Sequence, residues 1–194
     1  MLNRIQNLIS WPPPEVGERP HPVSLTADEG TWVKLEDFQD HLNVVFIVFD
    51  SLTNDAIDQW LQQWDKTVEP FESLETVIFG IHTARTEDLR SFRHRLGLSF
   101  FLLYDPLAIE SRALRCSSRV APICKTTVFA VGKDGKVLFG ERGLVPPNHV
   151  LECIAAREGR DLSDISGAPT QDTEEKTAPP PTTTAAEVVT NIDS

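Results

Sequence analysis

Three cysteines, Cys116, Cys124 and Cys153, are the most reactive side chains in the sequence. Cys116 and Cys124 flank Ser117-Ser118-Arg119-Val120-Ala121-Pro122-Ile123, with Arg115 and Lys125 just outside. Nearby cations favour the thiolate, which is the nucleophile of thiol chemistry. A disulfide between these two would close a short loop, worth roughly 2–3 kcal/mol in loop entropy. Two readings stand: a reversible redox pair, or two unpaired thiols kept reduced in the cytoplasm. Cys153, among Val150, Leu151 and Ile154, is expected in the core. Asp50, Asp55 and Asp58 could attract a divalent cation, but capping and dipole contacts at a helix start explain them more simply. The five histidines (His21, His41, His82, His94, His149) are scattered. They form no zinc spacing with cysteine, and no Ser/His/Asp order stands out from chance. His94, between Arg93 and Arg95, is expected on a solvated helix face. No phosphate-cradling glycine loop is present, and neither metal nor cofactor is expected.

The elements that would position these residues follow from hydrophobic periodicity. Val44 to Phe49 is a continuous apolar run, as in a strand buried on both faces. A helix follows, capped by Thr53 or Asn54, with Ile57, Trp60, Leu61, Trp64 and Val68 on one apolar face. Thr76 to Ile81 reads as a second buried strand. Glu87 to Leu96 reads as a helix stopped by Gly97. Ser99 to Leu103 is expected as a short strand and Leu107 to Leu114 as a helix. Thr126–Val131 and Lys136–Phe139 read as strands joined by a turn at Lys133-Asp134-Gly135. Asn148 is placed as the cap of a last helix, Val150 to Ala156. The βαβ start and the later hairpin predict an α/β domain, a mixed central sheet flanked by helices in thioredoxin-like order.

Both ends differ in composition. In residues 1–14, Leu2, Ile5, Leu8 and Ile9 recur at helical spacing before Trp11 and Pro12-Pro13-Pro14. So short an amphipathic extension must dock to be stable, on its own domain or on a partner. Residues 158–194 are acidic and rich in Pro and Thr, and are expected to be disordered. Residues 15–157 form the expected folded domain. A net charge of −11 argues against nucleic-acid binding, which needs clustered Lys and Arg. No apolar run could cross a bilayer and no signal-type stretch opens the chain, so a cytoplasmic location is expected.

Several segments resemble one family when read in order. Gly17-Glu18-Arg19-Pro20-His21-Pro22-Val23-Ser24-Leu25 is similar to the opening of the alkyl hydroperoxide reductase/thiol-specific antioxidant (peroxiredoxin) family. Leu35-Glu36-Asp37-Phe38 with Asn43-Val44-Val45-Phe46 resembles its entry to the central strand. Leu102-Leu103-Tyr104-Asp105-Pro106 and the hairpin Thr127 to Val137 resemble two further family segments. The resemblance implies a peroxiredoxin-type thioredoxin fold, and a P-x-x-x-T-x-x-C motif after the central strand. There a helix start and a nearby arginine would favour a peroxide-reducing thiolate.

On this sequence the motif falls on Phe49 to Ala56. Thr53 matches, Phe49 replaces the proline, Ala56 replaces the cysteine, and the arginine position falls on Thr126. Alanine offers no nucleophile. The expectation is therefore a peroxiredoxin-like protein without peroxidatic cysteine: a non-catalytic interaction or structural subunit with a protein partner or as a homodimer. The alternative is a thiol oxidoreductase, antioxidant or redox sensor using Cys116 and Cys124. A small ligand around Thr53, walled by Phe49, is a third reading.

Overall fold

Every residue of β3 (Asn43–Val48) is buried, Val44 to Val48 as their apolar run demands and Asn43 with its side-chain amide donating to the Leu74 carbonyl at 3.2 Å. In the computed structural model, which describes residues 11–118 and 123–165, it lies inside a seven-stranded sheet. The other strands are β1 (Ser24–Ala27), β2 (Trp32–Lys34), β4 (Thr76–His82), β5 (Phe101–Tyr104), β6 (Thr127–Val131) and β7 (Val137–Arg142). Their order is β2-β1-β5-β4-β3-β6-β7. β3, β4 and β5 run parallel, while β6, β7, β1 and β2 pair antiparallel, giving the expected mixed sheet.

Side-chain alternation divides the core into two layers. Val45, Ile47 and Phe49 face the larger one, with α1 (Asp55–Asp65), α2 (Val68–Ser73), α3 (Thr86–Leu96) and α5 (Pro147–Glu158). Trp60 and Trp64 are in this core, Trp60 donating to the Val145 carbonyl at 2.7 Å. Val44, Phe46 and Val48 face the other layer, closed by the Leu35–Phe38 turn and the five-residue α4 (Ile109–Ala113). The flanking helices are therefore unequal in weight on the two faces.

Several expected boundaries are corrected. Val68 does not extend α1, which stops at Asp65; Val68 opens α2. The single helix expected over Leu107–Leu114 is broken, because Leu107 and Ala108 both adopt left-handed backbone (φ 61 and 53). Asp105 compensates: its buried carboxylate accepts the amides of Glu110 (3.0 Å) and Ser111 (2.7 Å) and so caps α4. Asn148 does not cap the last helix. Pro147 starts it, where a missing N–H costs nothing. The packed domain also runs past residue 157: α5 includes Glu158, and Ile165 is buried against the larger core layer.

At the other end, residues 11–14 are not free of the domain. Pro14 is buried and its carbonyl lies over Gly140, where any Cβ would stand 2.3 Å from that oxygen. Gly17 and Glu18 then hydrogen-bond to Val137 at the β7 edge. The Leu2, Ile5, Leu8, Ile9 pattern and the sequence beyond Ile165 lie outside the described residues. Among the described residues, no helix is long and apolar enough to cross a membrane.

Candidate functional site

β3 delivers Phe49 into the larger core layer before the chain turns through Asp50–Asn54 into α1. Phe49 is fully buried, its ring 5.0 Å from His82 and 5.8 Å from Phe92 between centroids. Gly80 on the neighbouring strand leaves the room: a Cβ there would come within 3.3 Å of the Phe49 ring and 2.4 Å of Leu102. The Phe49 amide donates to the Ile81 carbonyl at 3.2 Å, so the backbone here continues the sheet.

The loop above this aromatic stack is tied down. The Thr53 amide donates to Ser51 Oγ at 3.2 Å. Asn54, one of the two expected caps, accepts the Ala56 amide at 2.9 Å. Arg95 from α3 donates to Asp58 at 2.6 Å and to the Leu52 carbonyl at 3.2 Å. The α1 start therefore holds its own cap and its own carboxylates, Asp55 and Asp58. Thr53 and Ala56 are exposed and Phe49 is sealed beneath them, so Phe49 does not wall a ligand pocket at Thr53. Thr126 precedes β6, half-buried, its carbonyl accepting from Gly143. Among the described residues, no group of three or more His, Cys, Asp or Glu is arranged to hold a metal.

Two residues in this region escaped the sequence reading. Arg142 is paired across the hairpin with Thr127, so it projects to the face opposite α1 and does not take the place of Thr126. It is half-buried, donating to the Arg115 carbonyl at 2.7 Å and to the Trp11 carbonyl. Counting across the Lys133-Asp134-Gly135 turn would have placed it near Thr127. His82 is the other: it is buried at the end of β4, and its Nδ1 accepts the Ala84 amide at 2.9 Å. Burial pushes its pKa down, more strongly than the Asp50 backbone and charge pull it up. A depressed histidine pKa gives stability that is complete above the ordinary value and lost as pH falls below it. In urea unfolding, the stability advantage of wild type over His82→Gln is expected to shrink steadily from pH 7 to pH 5. An unchanged difference would show that His82 does not titrate in this way.

The cysteines are placed differently from expectation in one case. Cys153 is exposed, because the buried stripe of α5 is Val150, Leu151, Ile154 and Ala155. Cys116 and Cys124 are both buried and free. Ser117 pairs with Cys124 in an isolated antiparallel bridge, which sets Cys116 one residue out of register with Cys124. Cys116 Sγ approaches the Leu114 carbonyl (3.3 Å) and Cys124 Sγ the Ser111 hydroxyl (3.5 Å). Burial pushes the Cys116 pKa up to about 12, against the opposing pull of the Arg142 charge. It pushes Cys124 up to about 11. Arg119 lies outside the described residues.

Residues 16–139 match the AhpC/TSA family. The chain belongs to that family. Its fold agrees with solved structures of the same kind, at low identity. Peroxidoxin BcpB from Mycobacterium tuberculosis is 16% identical over 74% of this chain and 97% of its own, with a TM-score of 0.67. AhpC from Mycobacterium tuberculosis is 17% identical over 76% and 94%, also at 0.67. The bacterioferritin comigratory protein of Xanthomonas campestris, whose structures concern alkyl peroxide reduction, is 16% identical over 70% and 91%, at 0.63. A search of curated proteins by sequence finds no match.

Proposed function

We propose that this AhpC/TSA-family chain is not a peroxidase and acts through protein contacts, with a partner protein or a second copy of itself. The observation that carries this reading is the aromatic stack at the end of β3. Peroxide reduction in the family-type site needs a thiolate at the start of the following helix, with space for peroxide beside it. In this chain Ala56 is the residue at that place in the motif, its amide is held by Asn54, and Phe49 packs against His82 and Phe92 below. Asp50 and Asp55 would oppose any anion brought there, Asp58 being already paired with Arg95. Among the described residues, the exposed apolar side chains of Trp32, Leu107 and Ile109 are available for such contacts.

The thiol reading has less support. Cys116 and Cys124 are near one another, but burial leaves almost no thiolate on either at neutral pH. Peroxide consumption in the presence of a dithiol reductant separates the two. The expected rate equals that of buffer with reductant and is the same for the Cys116→Ser/Cys124→Ser double variant. A catalysed rate that the double variant loses would overturn the non-catalytic reading.

A further inference from the structure

A cavity of about 350 Å3 opens at the amino-terminal ends of β4 and β5, the opposite end of the sheet from the β3–α1 loop. Val68, Ile78, Phe100 and Phe101 supply apolar wall, and the exposed carboxylates of Glu72 and Glu75 stand at its mouth. Its volume lies in the range of small-molecule sites, which combine mostly apolar walls with a few placed polar groups.

The walls are fixed without a ligand. Asp65 accepts both the amide and the hydroxyl of Ser99, at 2.6 and 2.7 Å, which anchors the segment leading into Phe100 and Phe101. The Arg93 guanidinium lies 4.6 Å from the Phe101 ring centroid. Glu75 has left-handed backbone (φ 48), and its carbonyl accepts the Asn43 amide at 2.9 Å.

The two carboxylates are not equivalent. Glu75 is bound to Lys133 at 2.5 Å, which holds its pKa below the usual value. Glu72 has no ion-pair partner among the described residues. An apolar chamber with one uncompensated carboxylate at its entrance suits a molecule with an apolar body and a cationic end. The net charge of −11 adds a field that attracts cations and repels anions. It also disfavours the chain's own acidic end, with Asp172, Glu174 and Glu175, as the occupant.

We propose that this cavity binds a small organic cation, a primary amine carrying an aryl or alkyl body, with the ammonium against Glu72. The proposal goes beyond the non-catalytic reading and does not depend on it. The test is an amide NMR titration of the full chain with phenethylammonium, using phenylpropionate as the anionic counterpart of similar shape. Saturable shifts are expected for phenethylammonium, centred on Glu72–Ile78 and Ser99–Phe101. Phenylpropionate should bind at least about tenfold more weakly. Glu72→Gln should weaken phenethylammonium about fivefold, the size of one exposed charge contact. Val68→Trp, which fills the chamber, should abolish the shifts. Glu72 is exposed, so its variant keeps the fold and the result is readable even if Val68→Trp unfolds. Equal affinity for amine and acid, no effect of Glu72→Gln, or no saturable shifts at these amides would each overturn the proposal. None of them bears on peroxide chemistry.

Discussion

Phe49→Ala is expected to lower the unfolding free energy by about 3–5 kcal/mol, the range for deleting a buried phenylalanine. The ring is fully buried and stacks with His82 and Phe92. Gly80 lacks the Cβ that would crowd it. The neighbours cannot fill the vacated space by small shifts, since β3 and β4 are paired from Asn43 through Val48. Phe49→Pro should lose the ring and also the amide bond to Ile81. By contrast, Ala56→Ser, at an exposed helix-start position, should change stability by no more than about 0.5 kcal/mol. Urea unfolding of the three variants beside wild type checks this. A Phe49→Ala cost near that of Ala56→Ser would mean that the aromatic stack does not seal the β3 end.

Asp105→Ala is the second large expected effect, about 2–4 kcal/mol. The carboxylate is buried and accepts two backbone amides, and charge-assisted bonds of this kind contribute about 1.5–3 kcal/mol. It also holds a segment that is unfavourable by itself, because left-handed backbone costs a non-glycine residue roughly 1–2 kcal/mol. Leu107 and Ala108 both have it. Without the cap, the turn and α4 should relax together and loosen the Ser111 contact to Cys124. Native-state alkylation should then report Cys124 reacting faster in Asp105→Ala, at unchanged Cys153. Equal Cys124 rates in the two proteins would show that the cap does not hold this corner.

The order of strands and helices was legible because the central strands carry unbroken apolar runs and the helices carry clean stripes. What escaped depended on backbone states that composition does not announce. The break before α4 falls on a leucine and an alanine, neither of which signals left-handed backbone. The start of α5 was set by proline at its first position and not by the nearby asparagine. The short strands β1 and β2 did not stand out, since Ser24–Ala27 and Trp32–Lys34 are too brief to show a period.

At the candidate site, Phe49, Thr53, Ala56 and Thr126 are named only by the resemblance, which lays the family's motif on the sequence, and the resemblance says nothing of their burial. The apolar run ending at Phe49 predicted a buried residue, and packing against His82 and Phe92 makes it core, which removes the third reading in which it walls a pocket. His82 was one of five scattered histidines until β4 set it beside that ring. The roles of Arg93 and Arg95 were hidden for the same reason. Arg93 meets the buried Asp28 at 3.4 Å, and Arg95 spans from α3 to the loop before α1. Long-range partners of this kind leave no local pattern to read. Cys153 shows the converse: its apolar neighbours suggested core, but its angle on the helix puts it in solvent.

The most direct test of the non-catalytic reading is peptide-mapping mass spectrometry of the reduced protein after graded hydrogen peroxide, with residual peroxide measured in the same samples. The account predicts slow oxidation, first at exposed Cys153, with Cys116 and Cys124 protected and peroxide lost no faster than in buffer. Rapid loss of two hydrogens across Cys116 and Cys124, reversed by reductant and matched by peroxide consumption, would contradict it.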